Sequence, residues 1–117
     1  MEEKVLPVRV SSLNDLIRLA VSTISPQALT YIVKFREEGK IVLGILGVFR
    51  DYYKYYGIPL FYYFILDPTE YPGLSEANYV VVSTSDEKFE FTKQPKPGVS
   101  IPIISLAERP GFIPDLR

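Results

Sequence analysis

The chain contains no cysteine, no histidine and no tryptophan, and its single methionine is the first residue. Without cysteine it cannot form a disulfide framework, a thiolate zinc site or a cysteine nucleophile. Without histidine it cannot form a Ser-His-Asp triad or a histidine proton shuttle. We therefore expect no catalytic site, no bound metal and no cofactor.

Asparagine and glutamine are also scarce, with two of each, whereas Tyr, Val, Ile, Glu and Lys are abundant. Scarce thermolabile side chains together with abundant Glu and Lys are typical of proteins from hot environments. The composition therefore predicts a thermophilic source.

Long hydrophobic runs and an excess of positive charge are missing as well. No apolar run reaches the roughly 18 residues of a membrane span, and IVLGILGVF is interrupted by Arg50 and Asp51. The first ten residues, MEEKVLPVRV, carry acids before their apolar residues and lack the basic start of a secretory signal. The net charge of −1 argues against general attraction to duplex phosphates. We expect a cytoplasmic protein with no membrane contact.

The length of 117 residues is typical of one domain. Residues 4–10 read as a short strand, placed at a sheet edge because Pro7 cannot donate to a ladder. Ser12 and Asp15 resemble a capping box, and apolar residues at helical spacing predict an amphipathic helix over residues 13–24. This helix is expected to cover a sheet.

Residues 25–39 can be read as a second helix or as a turn followed by a strand. The alternation from Leu29 to Phe35 and the β-rich sequence after Gly39 favour a β-hairpin. A three-residue loop of residues 37–39, with Gly39 in the left-handed region, would place Phe35 opposite Ile41. The same register would place Val33 opposite Leu43 and Tyr31 opposite Ile45.

The remaining strands are predicted at residues 78–84 and 89–92, joined by a charged turn. Five of the ten prolines lie between Pro95 and Pro114, so this segment should be extended and not a central strand throughout. We predict an α+β fold in which residues 1–94 form a mostly antiparallel sheet of four to six strands packed on one N-terminal helix. Residues 95–117 would form a proline-rich extended tail that either wraps the same domain or docks a partner. Five apolar residues would tie it down: Ile101, Ile103, Ile104, Leu106 and Phe112.

The stretch FRDYYKYYGIPLFYYF, residues 49–64, holds nine aromatic side chains in sixteen positions. Its first half reads as a helical turn that stops at Gly57 and Pro59. Its second half reads as a strand with apolar residues on both faces, which is unusual for an antiparallel sheet with one solvated face. One helix covers one face, so the tail, a second subunit or a ligand must cover the other, and we expect a homodimer.

The rings can be core and interface packing, or they can stack on the bases of single-stranded DNA or RNA, at roughly 1 to 3 kcal/mol per base. Residues 34–54 contain five basic and three acidic residues, which is the sign a phosphate backbone requires. We therefore predict a non-enzymatic binding module, with nucleic acid as its most concrete ligand. The predicted binding residues are Tyr52, Tyr53, Tyr55, Tyr56, Tyr63, Arg36, Arg50 and Lys54.

Two other functions remain open. The same aromatic surface would suit a protein partner, which would make the chain an adaptor or a subunit. A more distant alternative is a Mg²⁺-dependent enzyme that uses Asp67, Glu70 and Glu76, although DPTEYPG also reads as an ordinary exposed turn.

Overall fold

The computed structural model describes residues 5–22, 29–48, 60–83, 85 and 88–116, without the side chains of residues 29–31 and 47–48. The elements in chain order are β1 (Leu6–Arg9), α1 (Leu13–Ser22), β2 (Leu29–Glu37), β3 (Lys40–Val48), β4 (Leu60–Leu66), a 3₁₀-helix (Leu74–Glu76), β5 (Tyr79–Val82), β6 (Phe89–Thr92) and β7 (Val99–Ser105). The predicted α+β class is confirmed. No helix among these residues is long and apolar enough to cross a membrane.

Helix α1 begins where the sequence predicts. The backbone N–H of Asp15 donates to Oγ of Ser12 at 3.1 Å, which satisfies one of the unpaired amides of the first turn. The hydroxyl of Ser11 donates to the Asp15 carboxylate at 2.7 Å. The helix is described to Ser22, so its predicted end at residue 24 lies outside the described residues.

Strands β2 and β3 form the predicted hairpin, but the loop is shorter than expected. Glu37 pairs with Lys40, which leaves a two-residue loop of Glu38 (φ 52°) and Gly39 (φ 79°). Two consecutive positive φ angles are typical of a type I′ turn, whose twist suits a hairpin. The predicted register is therefore wrong by one residue, because Phe35 pairs with Val42 and not with Ile41. The left-handed conformation predicted for Gly39 is confirmed.

The sheet has seven strands in the order β1-β4-β3-β2-β7-β5-β6. The pairs β2–β3, β3–β4, β5–β6 and β5–β7 are antiparallel, whereas β1–β4 and β2–β7 are parallel. The sheet is thus mixed and larger than the four to six strands expected. Strand β1 is an edge strand, as Pro7 predicted.

The C-terminal segment contributes a strand to the middle of the sheet, although its prolines argued for a simple extended tail. Residues 99–102 of β7 pair with β5, and residues 103–105 pair with β2. Pro102 stands where the strand changes partners, and the next ladder donor is Ile103, whose N–H donates to the Asn78 carbonyl at 2.8 Å. A proline is tolerated here because the two pairings meet at this point and do not overlap.

Both faces of the central strands are buried. On one face, Ile41, Leu43 and Ile45 of β3 pack in a cluster with the buried residues of α1. That helical set is Leu13, Leu16, Ile17 and Ala20. We call this the helix face of the sheet.

On the opposite face, Val42 of β3 and Phe61 of β4 are fully buried in a second cluster. Ile113 and Leu116, from the C-terminal segment, belong to that cluster. Of the five tail residues expected to anchor the segment, Ile101 and Ile103 are buried and Leu106 is half-buried. The other two, Ile104 and Phe112, are exposed.

Gly44 lets the Phe61 ring lie directly on β3. A Cβ atom built on Gly44 would overlap Cε2 and Cζ of that ring and would lie 3.0 Å from the Tyr62 carbonyl oxygen. The ring is also stacked on Tyr63, with centroids 5.6 Å apart, and on Phe35 at 6.5 Å. The glycine in the strand thus marks the close approach of a ring.

We expect Gly44→Ala to lower the free energy of unfolding by about 1–3 kcal/mol, because the added methyl group must displace a fully buried ring. Urea unfolding followed by circular dichroism measures the change. Gly111→Ala is the matched control, since its Cβ would meet nothing within 4 Å. A Gly44→Ala variant as stable as the Gly111→Ala variant would contradict the close packing of Phe61 on β3.

Candidate functional site

Most of the predicted binding residues lie outside the described part of the chain. Arg50 and Lys54 belong to residues 49–59, as do four of the five predicted tyrosines. Those four are Tyr52, Tyr53, Tyr55 and Tyr56. The geometry of the site is therefore carried by the two remaining residues, Tyr63 and Arg36, and by their surroundings.

Tyr63 lies on β4, in the cluster opposite the helix face. Its side chain is 7% exposed and its ring is stacked almost parallel on Phe61, with an angle of 8° between the planes. The neighbouring Phe61 is fully buried between Tyr63 and Phe35. Tyr63 is therefore a core residue of the sheet.

Arg36 is exposed near the end of β2, beside the hairpin turn. Residues 49–59 connect to the sheet at its other end, where Val48 pairs with Leu29 and Leu60 pairs with Gly47. Arg36 is seven residue-to-residue steps from Leu29 along β2, which corresponds to roughly 23 Å. Arg36 and the strand ends that border residues 49–59 thus lie at opposite ends of the same strands.

Beside Arg36 lies Lys34, one of the five basic residues of the stretch 34–54, which the sequence does not predict as a binding residue. Lys34 is 8% exposed and lies on the helix face. Its ammonium group donates to three backbone carbonyls, those of Leu74 at 2.8 Å, Ser75 at 3.0 Å and Ala77 at 3.3 Å. Those three bonds match the three donors of an ammonium group.

The alternation of side chains along β2 indicates that Lys34 is buried. Lys34 is two residues from Ile32, which is 1% exposed, and therefore points to the same buried face. A lysine at such a position needs acceptors inside the protein. The sequence alone does not show that the 3₁₀-helix, forty residues away, supplies them.

Lys34 and Arg36 line a cavity of about 280 Å³ at this end of the sheet. Of the residues that the structure describes, the hydroxyl residues Ser75 and Ser105 also line it, and no carboxylate does. Arg36 Nη2 donates to Ser75 Oγ at 3.2 Å. The pKa of Lys34 lies below its ordinary value of 10.5 because the ammonium is buried and, to a smaller extent, because the Arg36 guanidinium is near.

The three carboxylates considered as metal ligands are not brought together. Asp67 accepts hydrogen bonds from the N–H of Thr69 at 2.9 Å and from its hydroxyl at 2.8 Å, and it pairs with Lys40 at 3.2 Å. Glu76 pairs with Lys93 at 3.2 Å. No group of three or more acidic side chains in the described ranges could hold a metal ion. Asp67 instead stabilises the turn after β4.

A larger cavity, of about 690 Å³, lies between the β5–β6 hairpin and the loop before β7. Val81, Phe89 and Pro97 contribute apolar walls, and the ion pair of Lys96 with Glu90, at 3.1 Å, contributes neighbouring charges of opposite sign. The charges of this pair compensate one another. Lys88 also lines this larger cavity, so its lining has two cationic residues and one acidic residue. The smaller cavity beside Arg36 has two cationic residues and no acidic one among the described residues of its lining.

The chain matches no protein-family model, no curated protein and no solved structure.

The ammonium of Lys34 should be important for stability. We expect Lys34→Met to lower the free energy of unfolding by at least about 2 kcal/mol, because buried carbonyls at the 3₁₀-helix lose their donor. Lys40→Met is the matched control and should cost less than about 1 kcal/mol, since Lys40 belongs to an exposed ion pair. Urea unfolding of both variants tests this difference. Equal losses would show that the Lys34 bonds contribute no more than a surface pair.

Asp67 should contribute a pH-dependent part of stability. Hydrogen bonds from the Thr69 N–H and hydroxyl, and then the contact with Lys40, lower its pKa from 3.8 to about 2. The unfolded chain therefore takes up this proton first as pH falls. The contribution is fully present above about pH 4 and is lost as pH falls through about 2.

Carboxyl ¹³C NMR of the folded protein measures the Asp67 midpoint directly, and Asp67→Asn should remove the corresponding step in stability against pH. A midpoint near 3.8 would show that the Thr69 bonds do not form in solution.

Proposed function

We propose that the chain is a non-enzymatic binding module for single-stranded nucleic acid. Tyr52, Tyr53, Tyr55 and Tyr56 stack on bases, and Arg50 and Lys54 contact phosphates, with Arg36 as a more distant contact. Stacking on aromatic rings with cations beside them is the usual way in which proteins hold single strands. Tyr63 is left out of this platform because its ring is packed on Phe61.

The proposal rests on the connection between β3 and β4. These strands pair up to Gly47 and Leu60, so a connection of two to five residues would be enough for a hairpin. The connection is eleven residues long, residues 49–59, and five of them are aromatic. A hairpin connection lengthened in this way is typical of a functional loop.

The two faces of β3 and β4 are already covered by other parts of the chain. Helix α1 packs on one face, and Ile113 and Leu116 pack on the other. The tyrosines of residues 49–59 are therefore not required to cover these faces, which supports a role in binding. Because Ile113 and Leu116 cover the second face of the sheet, that face does not require a homodimer. The homodimer stays a prediction.

A protein partner is the second candidate, and the sheet edge favours it. Leu6 and Val8 of β1 are 46% and 37% exposed. Large apolar side chains at an exposed strand edge are typical of protein contacts. On this alternative the chain is an adaptor or a subunit.

We expect labelled single-stranded DNA or RNA to bind the purified protein, and fluorescence anisotropy at two salt concentrations measures the affinity. Binding should weaken steeply with salt because phosphate neutralisation releases counterions. The double variant Tyr52→Ala/Tyr55→Ala should bind at least about tenfold more weakly, since it lacks two stacking rings.

Phe112→Ala is the matched control, because Phe112 is an exposed ring, 49% exposed, outside residues 49–59. Its affinity should equal that of the unaltered protein. Absence of binding at low salt would refute the nucleic-acid proposal. Binding reduced equally by both substitutions would refute the assignment of the stacking rings.

A further inference from the structure

We propose that the cavity lined by Lys34, Arg36, Ser75 and Ser105 is a binding site for a phosphate group. The site lies on described residues near the hairpin end of the sheet, and it includes none of residues 49–59. The phosphate group can belong to a small phosphorylated molecule or to a nucleic-acid backbone, since both present the same oxygens.

The first support is the imbalance of charge. Lys34 and Arg36 lie two residues apart on the same face of β2, and the ammonium of Lys34 is buried. Burying one cation beside another is unfavourable unless negative charge compensates it. In the described part of the chain, no carboxylate is among the lining residues of the cavity.

Three nearby acids form ion pairs with other residues. Glu37, the next residue along β2, accepts from Arg109 at 2.9 Å. Asp67 pairs with Lys40 across the hairpin, and Glu76 pairs with Lys93. The positive charge at the cavity is therefore not neutralised by these three carboxylates.

The second support is the set of donors. The bonds of Lys34 to three carbonyls fix its ammonium in place, so that it contributes charge and not hydrogen bonds. Arg36 carries the donors: a guanidinium has five N–H groups, and the bond to Ser75 uses one. Its planar fork suits two oxygens of a phosphate. Ser75 and Ser105, whose side chains can each donate one hydrogen bond, also line the cavity.

The third support is the construction of the site. The residues that line it belong to β2, the 3₁₀-helix and the end of β7, and two contacts hold these three segments together. The Leu106 N–H donates to the Lys34 carbonyl at 2.8 Å, and the Lys34 ammonium ties the 3₁₀-helix to β2. A water molecule occupies about 30 Å³ in the liquid, so a cavity of about 280 Å³ has room for a phosphate group.

The test uses inorganic phosphate as the probe, with sodium chloride at the same ionic strength as the reference. Saturating phosphate should raise the Tm of the full chain by about 3 °C or more, because it binds only the folded state. Arg36→Gln should weaken phosphate binding about tenfold or more, and Ser105→Ala should weaken it severalfold. Lys40→Gln removes one positive charge from the same hairpin outside the cavity and should leave the response unchanged.

Amide ¹H–¹⁵N spectra during the same titration locate the phosphate. Shifts concentrated at Arg36, Ser75, Ser105 and Leu106 would support the site, and they do so even if the Arg36→Gln variant folds poorly. No rise in Tm, an equal rise in all variants, or shifts spread over the surface would overturn it, since these are the signs of a general salt effect.

A second titration, with an oligonucleotide, distinguishes the two possible sources of the phosphate group. It also tests this proposal separately from the proposed function. Shifts of the same four amides with a single-stranded oligonucleotide, lost in Arg36→Gln, would assign a nucleic-acid backbone. Shifts with inorganic phosphate alone would assign a small phosphorylated ligand. The Tyr52→Ala/Tyr55→Ala variant should keep the phosphate response whether or not it binds the oligonucleotide.

Discussion

The central strands of this protein are apolar on both faces, and most of the architecture follows from the need to cover both. Gly44 and Phe61 show how closely the strands pack, because the ring occupies the space that a side chain would take on β3. Two different segments provide the cover: the N-terminal helix on one face and Ile113 with Leu116 on the other. Strand β7, placed between β2 and β5, carries the chain on toward that second cover.

A buried cation organises the hairpin end of the sheet. Lys34 points to the helix face, and an ammonium group there is stable only with acceptors around it. The 3₁₀-helix Leu74–Glu76 and the residue after it present three carbonyls to the ammonium, and the Leu74 carbonyl also accepts the Ala77 N–H at 3.2 Å. The lysine thus joins β2 to the connection between β4 and β5. Its buried positive charge favours a negatively charged group in the adjacent cavity.

The local elements could be predicted from the sequence because their causes are local. Ser12 and Asp15 set the start of α1, and Gly39 sets the hairpin turn. The register could not be predicted, because Glu38 also adopts a positive φ and so shortens the loop by one residue. The position of β7 could not be predicted either. Pro102 argues against a central strand unless one knows that the strand changes partners at that residue.

The candidate site likewise has one part that the sequence predicts and another that it does not. Arg36 was identified from local charge, whereas Ser75 and Ser105 come from distant parts of the chain and meet it only through the β2–β7 pairing and the Lys34 bonds. Roughly 23 Å of strand separate this cavity from the residues that border the aromatic connection. A ligand that contacts both must therefore be a chain, since a small molecule of drug size reaches only one of them. A polynucleotide is long enough to reach both ends of the sheet, and it carries the phosphate groups that the cavity would bind. Such a ligand would therefore connect the stacking proposal with the phosphate site.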